Sequence, residues 1–299
     1  MQRVSLLNMA LYATLAVGCS TARGPIELQF AASQSAVAGY ETPGAVTLVD
    51  ALGGLPVVQA TVQGEHAWFV LDSGASRPVL AQWYLAARGI HTSSSYEMGF
   101  DHAGRPLRVR MATGVQAVVQ PLGRVRETTW AVVDVPEVFR RQNIAGFLSP
   151  QTWADARSAV VIDFRTQSLK TTAVENAPSR SHRGEWASAC GGGYVADTRV
   201  GQKSARLLVD TGSARTDLLG SVDYPTTTYA LQVAGGEVTA AFLGTTEVTV
   251  GGTSLTASPL VIRGQADHAC PRDGALGMDV LRSCVVTFYR EGARVTCSR

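Results

Sequence analysis

The chain has 299 residues, 45% of them hydrophobic and 17% charged, enough to bury two modest cores or one large one. Its formal net charge of +2 supplies neither a basic face for nucleic acid nor a polybasic surface for anionic lipid. Beyond the N-terminal region, no segment has the roughly 18 consecutive apolar residues of a membrane span. At the N-terminus, Arg3 precedes a largely apolar run from Val4 to Gly18. The run is too short for a permanent span and suits a secretory signal over residues 1–18. It ends Leu15-Ala16-Val17-Gly18-Cys19, and the polar stretch Ser20–Gly44 reads as a tether or a short inhibitory segment.

From residue 45 the pattern is one of short β-type runs bounded by Gly, Pro or charged turns. Val57–Val62, Trp68–Leu71, Leu107–Met111, Trp130–Val135 and Ala159–Phe164 are predicted strands. Val79–Arg88 is a predicted helix closed by Gly89. The second half continues with Tyr194–Val200, Ala205–Val209, Glu247–Val250, Leu260–Ile262 and Cys284–Tyr289. Gly191-Gly192-Gly193 lacks the strand-then-helix setting of a phosphate loop and reads as a strand entry.

The two halves repeat each other. Phe69-Val70-Leu71-Asp72-Ser73-Gly74-Ala75 matches Leu207-Leu208-Val209-Asp210-Thr211-Gly212-Ser213, a period of 138 residues. Downstream, Ile144-Ala145-Gly146-Phe147-Leu148 matches Ala275-Leu276-Gly277-Met278, and an apolar strand follows each. A lone Asp-Ser/Thr-Gly occurs by chance in about one chain in five of average composition and usually marks a turn. Two copies, each with an apolar lead and a glycine segment behind it, are not explained by two ordinary turns.

A strand ending in this triplet anchors its backbone in a core and pushes the Asp out at its end. Gly74 and Gly212 permit a close approach that a Cβ would block. The hydroxyls of Ser73 and Thr211 can bond across to the opposite loop and fix the separation of the loops. If the halves face each other about a pseudo-twofold axis, Asp72 and Asp210 meet. Two carboxyls that close share one proton, so the ionised one can activate a water and the protonated one can polarise a carbonyl. Ser213 could donate to the pair and Ala75 could not, which predicts that the shared proton rests on Asp72 and that Ala75→Ser lowers the pH optimum.

These residues resemble the aspartic peptidases related to pepsin and the retroviral proteases, over about residues 45–299. Asp273–Leu281 is especially similar to bacterial retropepsin-like domains. The resemblance implies a mostly β fold of two pseudo-twofold-related β-barrel lobes with a central cleft, residues 45–178 and 179–299. It implies catalytic Asp72 and Asp210, supported by Ser73, Gly74, Ala75, Thr211, Gly212 and Ser213, with Gly146 and Gly277 in the glycine segments. It also implies an endopeptidase acting on a peptide or protein substrate as a monomer, with no cofactor and no metal. A flap hairpin would lie at Gly99–Pro106, with Ala234–Glu237 the matching tip. Tyr96 does not sit where pepsin-like flaps carry their tyrosine. The same fold could also serve as a silent peptide-binding or scaffold protein of the envelope.

Residues 15–19 resemble the bacterial lipoprotein signal, which implies lipidation of Cys19, a linker over 19–44 and a membrane-anchored place in the bacterial cell envelope. Simple cleavage without lipid is the competing expectation. The remaining cysteines, Cys190, Cys270, Cys284 and Cys297, form an even set suited to two disulfides in an exported protein. Three pairings are open. A hairpin about Glu291-Gly292 would bring Cys284 to Cys297, leaving Cys190 with Cys270. His66, His91, His102, His182 and His268 are scattered and read as solvated. Asp163, Asp217 and Asp279 read as caps, turns or exposed strand residues.

Overall fold

The computed structural model describes residues 45–177, 184–220, 228–233, 236–264 and 270–298. The signal segment, Cys19, the linker, His182, His268 and part of the Ala234–Glu237 tip lie outside the described residues. What is described is mostly β, in two mixed sheets of 15 and 10 strands. No described helix is long and apolar enough to cross a membrane.

The order of pairing in the first half recurs in the second. Leu55–Val62 and Glu65–Leu71 form an antiparallel hairpin, as do Gly193–Val200 and Lys203–Val209. Ile144–Leu148 then runs parallel to Glu65–Leu71, and Gly274–Leu276 runs parallel to Lys203–Val209. Each of these central strands pairs on its other side with the strand that follows an Asp loop, Val79–Ala81 or Asp217–Gly220. Those strands take Thr129–Val133 and Leu260–Arg263 as parallel neighbours. An outer hairpin completes each set: Thr92–Phe100 with Pro106–Thr113, and Thr228–Val233 with Gly236–Phe242.

This register corrects one feature of the sequence match. Gly146 lies opposite Phe69 and Gly274 lies opposite Leu207, so Gly146 corresponds to Gly274, and Ser149 corresponds to Gly277. The physical reason is local. Gly146 and Gly274 have φ of 158° and 159°, and a Cβ on either would run into the carbonyl oxygen of Val79 or Asp217. Gly277 has its own constraint, since a Cβ there would meet the backbone of Arg215 and Thr216. The apolar-apolar-glycine pattern fits both frames, and only backbone crowding separates them.

The two halves are stitched together at one end. The hairpin Ser158–Asp163/Ser168–Ala173 pairs edge to edge with Cys284–Phe288/Gly292–Cys297 through Val160↔Phe288 to Asp163↔Val285. Apolar residues of both hairpins (Val160, Ile162, Val286, Phe288, Val295) are buried in one core with those of the Asp-bearing strands. Removing side chains of this size from water supplies roughly 1.5–3 kcal/mol each, which holds the strands that carry the acidic loops.

Elsewhere the predicted elements differ in extent. The helix over Val79–Arg88 begins only at Gln82, because Val79–Ala81 is taken by the sheet. Gly89 closes it in the left-handed conformation, φ 62°. Gly191 and Gly192 form the turn between Glu185–Cys190 and Gly193–Val200, both with positive φ. Disulfides join Cys284 to Cys297, which face each other across their hairpin, and Cys190 to Cys270. The second ties that glycine turn to the segment leading into Gly274.

Candidate active site

Asp72 and Asp210 stand at equivalent points, each one residue past its apolar strand. Both backbone N–H groups are bound by the neighbouring central strand: Asp72 N–H donates to Leu148 at 2.9 Å and Asp210 N–H to Leu276 at 3.1 Å. Strand pairing therefore sets where both loops begin.

The loops are then locked to each other. The Ser73 hydroxyl donates to the Val209 carbonyl at 2.6 Å and accepts from Thr211 N–H at 3.1 Å. Reciprocally, the Thr211 hydroxyl donates to the Leu71 carbonyl at 2.7 Å and accepts from Ser73 N–H at 3.0 Å. Both residues are fully buried, 0% exposed, so these four bonds have no water to exchange with.

Each glycine of the triplets cradles the carboxyl of the other half. A Cβ on Gly74 would lie 2.8 Å from the Asp210 carboxyl carbon, and one on Gly212 would lie 2.5 Å from that of Asp72. The glycines are needed for lack of room. Gly74 and Ala75 N–H donate to Asp72 Oδ1 at 2.9 and 3.0 Å, and Gly212 N–H donates to Asp210 Oδ1 at 2.9 Å.

The two carboxyls are close enough to act directly on each other's protonation. Burial, then the charge of Asp210, pushes Asp72 well above the usual carboxylate range, against the pull of its two backbone donors. Burial raises Asp210 as well, with the charge of cationic His102 pulling the other way. The cause that the sequence suggested for an uneven sharing of the proton is not present. The Ser213 hydroxyl donates to the Arg215 carbonyl at 2.8 Å, so it is engaged away from the pair. The predicted effect of Ala75→Ser loses its basis.

Above the pair lies a cavity of about 350 Å³, bounded by Asp72, Asp210, Phe100, Leu260 and Ile262 among others. Thr92–Phe100 and Pro106–Thr113 overhang it as a hairpin whose tip, Asp101–Arg105, occupies the place expected for a flap. Asp101 shapes the tip by accepting Arg105 N–H at 2.8 Å and Arg105 Nε at 2.7 Å. The tip crosses to the second half, where Ala103 is 3% exposed among Val238, Ala240, Leu260 and Ile262.

Two residues read as ordinary in the sequence prove to be central. His102 on the flap tip places Nε2 at 2.9 and 2.8 Å from the Asp217 carboxylate oxygens, and Nδ1 4.0 Å from Asp210 Oδ2. The solvated reading of His102 does not survive, and Asp217 is a buried strand residue instead of a cap, a turn or an exposed one; both line the cleft. A signal for Asp217 existed, since the repeat places it opposite Val79, an acid where the other copy is apolar. Asp163 pairs with exposed Arg165, and Asp279 accepts the Thr216 N–H and hydroxyl, so both are structural as expected. Gln151, at the position matching Asp279, donates to the Ser73 carbonyl at 3.0 Å and steadies the first loop. His66 lies on the surface beside Thr61, away from the cleft. Among the described residues no cluster of His, Cys, Asp or Glu could hold a metal ion.

No protein-family model matches the chain, and no curated protein sequence matches it.

Proposed function

We propose that the chain is an aspartic endopeptidase of two pepsin- or retropepsin-like lobes, lipid-anchored in the bacterial cell envelope through Cys19. The observation that carries this reading is the pair Asp72–Asp210, held face to face by reciprocal bonds from Ser73 and Thr211 and cradled by Gly74 and Gly212. That arrangement suits one reaction well. A water seated between the carboxyls loses a proton to ionised Asp210 and attacks the scissile carbonyl. Protonated Asp72 donates to the carbonyl oxygen, where charge develops, so the oxyanion is neutralised as it forms. Collapse of the tetrahedral species returns a proton to the leaving nitrogen. The flap would exclude bulk water once a peptide lies across the cleft.

The test is cleavage of casein-derived peptides by the full chain, with pepstatin as inhibitor. Pepstatin-sensitive hydrolysis that is abolished in Asp72→Asn and in Asp210→Asn supports the reading. Hydrolysis that survives both substitutions refutes it. A second reading, a silent peptide-binding protein of the envelope, is favoured by one observation: the flap tip already spans the cleft, with His102 bonded to Asp217. Peptide binding without turnover in the same assay selects it.

A further inference from the structure

His102 stands where a substrate must go. A water held by the Asp pair attacks a carbonyl lying within hydrogen-bonding reach of both carboxyls, roughly 2.6–3.2 Å. The imidazole borders that volume, with Nδ1 4.0 Å from Asp210 Oδ2 and its ring spanning to Asp217, in the path of a peptide laid across the cleft. A peptide therefore displaces it. Displacement exposes a difficulty on the cleft wall, because Asp217 is 1% exposed and both its oxygens are engaged by His102 Nε2. A buried carboxylate that loses its cation carries a large desolvation penalty unless another cation arrives.

We propose that Asp217 is the specificity carboxylate of this cleft, taking a lysine or arginine side chain of the substrate next to the scissile bond, with His102 filling that place while the flap is closed and empty. The inference rests on the peptidase reading for its substrate and on the flap geometry for its chemistry. The walls beside Asp217 are apolar, formed by Leu260, Ile262 and Leu208, which suits the methylene stem of a long basic side chain. Arg272 is the opposing charge: it donates to the His102 carbonyl at 3.4 Å and lines the same cavity. Arg215 is turned toward the ring of Phe242, 5.4 Å from its centroid, and the Ser258 carbonyl. If Arg272 swung onto Asp217 after the flap opened, the preference for a basic substrate would vanish, so this competition is what an experiment decides.

Two pairs of peptides serve, the members of each pair identical except for lysine or norleucine on one side of the scissile bond. Their kcat/KM is measured with the wild-type chain, and their Kd is measured by fluorescence anisotropy with Asp72→Asn, which holds peptide without cutting it. Lysine is expected to win by about tenfold or more at one of the two positions, the size of a well-placed buried charge pair. Asp217→Asn should bring that ratio to about one, while His102→Gln should tighten lysine-peptide binding several-fold by removing the internal competitor. A ratio near one in the wild-type chain, or one that survives Asp217→Asn, overturns the inference. If Asp217→Asn fails to fold, unchanged or weaker lysine-peptide binding in His102→Gln overturns it equally. Lysine preference in binding with no cleavage would remove the peptidase reading and keep the site. Cleavage indifferent to lysine would do the reverse, and absence of both would remove both.

Discussion

Replacing Thr211 by valine removes one hydroxyl and almost no volume, which isolates what that hydroxyl does. It donates to the Leu71 carbonyl at 2.7 Å and accepts from Ser73 N–H at 3.0 Å, both in the opposite half. Thr211 is 0% exposed, so no water can replace it. The substitution strands one buried carbonyl and one buried N–H, each costing about 1–3 kcal/mol, for a total of about 2–4 kcal/mol after partial relaxation. For a fold of this size that lowers Tm by about 4–8 °C. The carboxyls it positions also lose their fixed spacing, and a displacement near 1 Å costs about a hundredfold in rate. Thermal unfolding with disulfides intact, run beside Ser73→Ala and the double variant, measures both the loss and its coupling. A Tm within 1 °C of wild type, on the order of experimental scatter, would refute the claim that these hydroxyls hold the site together.

Other expectations follow from the same geometry. Gly212→Ala, which drives a Cβ to 2.5 Å from the Asp72 carboxyl carbon, should cut kcat about a hundredfold or more while leaving the circular dichroism spectrum unchanged. Gly274→Ala should instead destabilise the whole fold by more than about 3 kcal/mol in denaturant unfolding, because its Cβ meets the Asp217 backbone at a strained φ. His102 is depressed by burial but raised more strongly by Asp217 and by Asp210, against Arg272, to about 9. A group raised on folding adds stability that is complete below about pH 6.5 and is lost as pH rises through about 9. The Tm gap between wild type and His102→Gln should accordingly be constant near pH 6 and shrink between pH 8 and 10. A gap independent of pH would remove the ion pair from the account. Replacing Cys284 and Cys297 by alanine opens a 13-residue loop and should cost about 3 kcal/mol, read by urea titration.

The duplicated triplets were legible because their chemistry is local: an apolar strand, an acid, a hydroxyl and a glycine in fixed order. From that pattern alone follow the bonding of Ser73 and Thr211 to opposite loops and the close approach of Gly74 and Gly212. The hairpin of Cys284 and Cys297 was equally local. The glycine segments were found but set three residues out of frame in the second half, because Gly274 and Gly277 both precede apolar residues. What distinguishes them is contact with Asp217 and Arg215, which no linear pattern encodes. His102 was illegible for a deeper reason. Its role depends on a hairpin of the first half reaching a carboxylate 115 residues away in the second. Asp217 stood one step nearer to view, as an acid aligned with Val79, but without its partner it looked like any strand residue. The helix after Ala75 was overextended because Val79–Ala81 has helical neighbours in sequence and sheet neighbours in space.

The protonation of Asp72 and Asp210 themselves bears most directly on the account. With carboxyl-¹³C-labelled aspartate, NMR titration of the full chain against Asp72→Asn and Asp210→Asn assigns the two signals. Near pH 6 the Asp72 carboxyl is expected to be still protonated, the pair titrating as one coupled unit that holds a single proton between them. Two carboxyls ionising independently near the ordinary aspartate value of about 4 would contradict it.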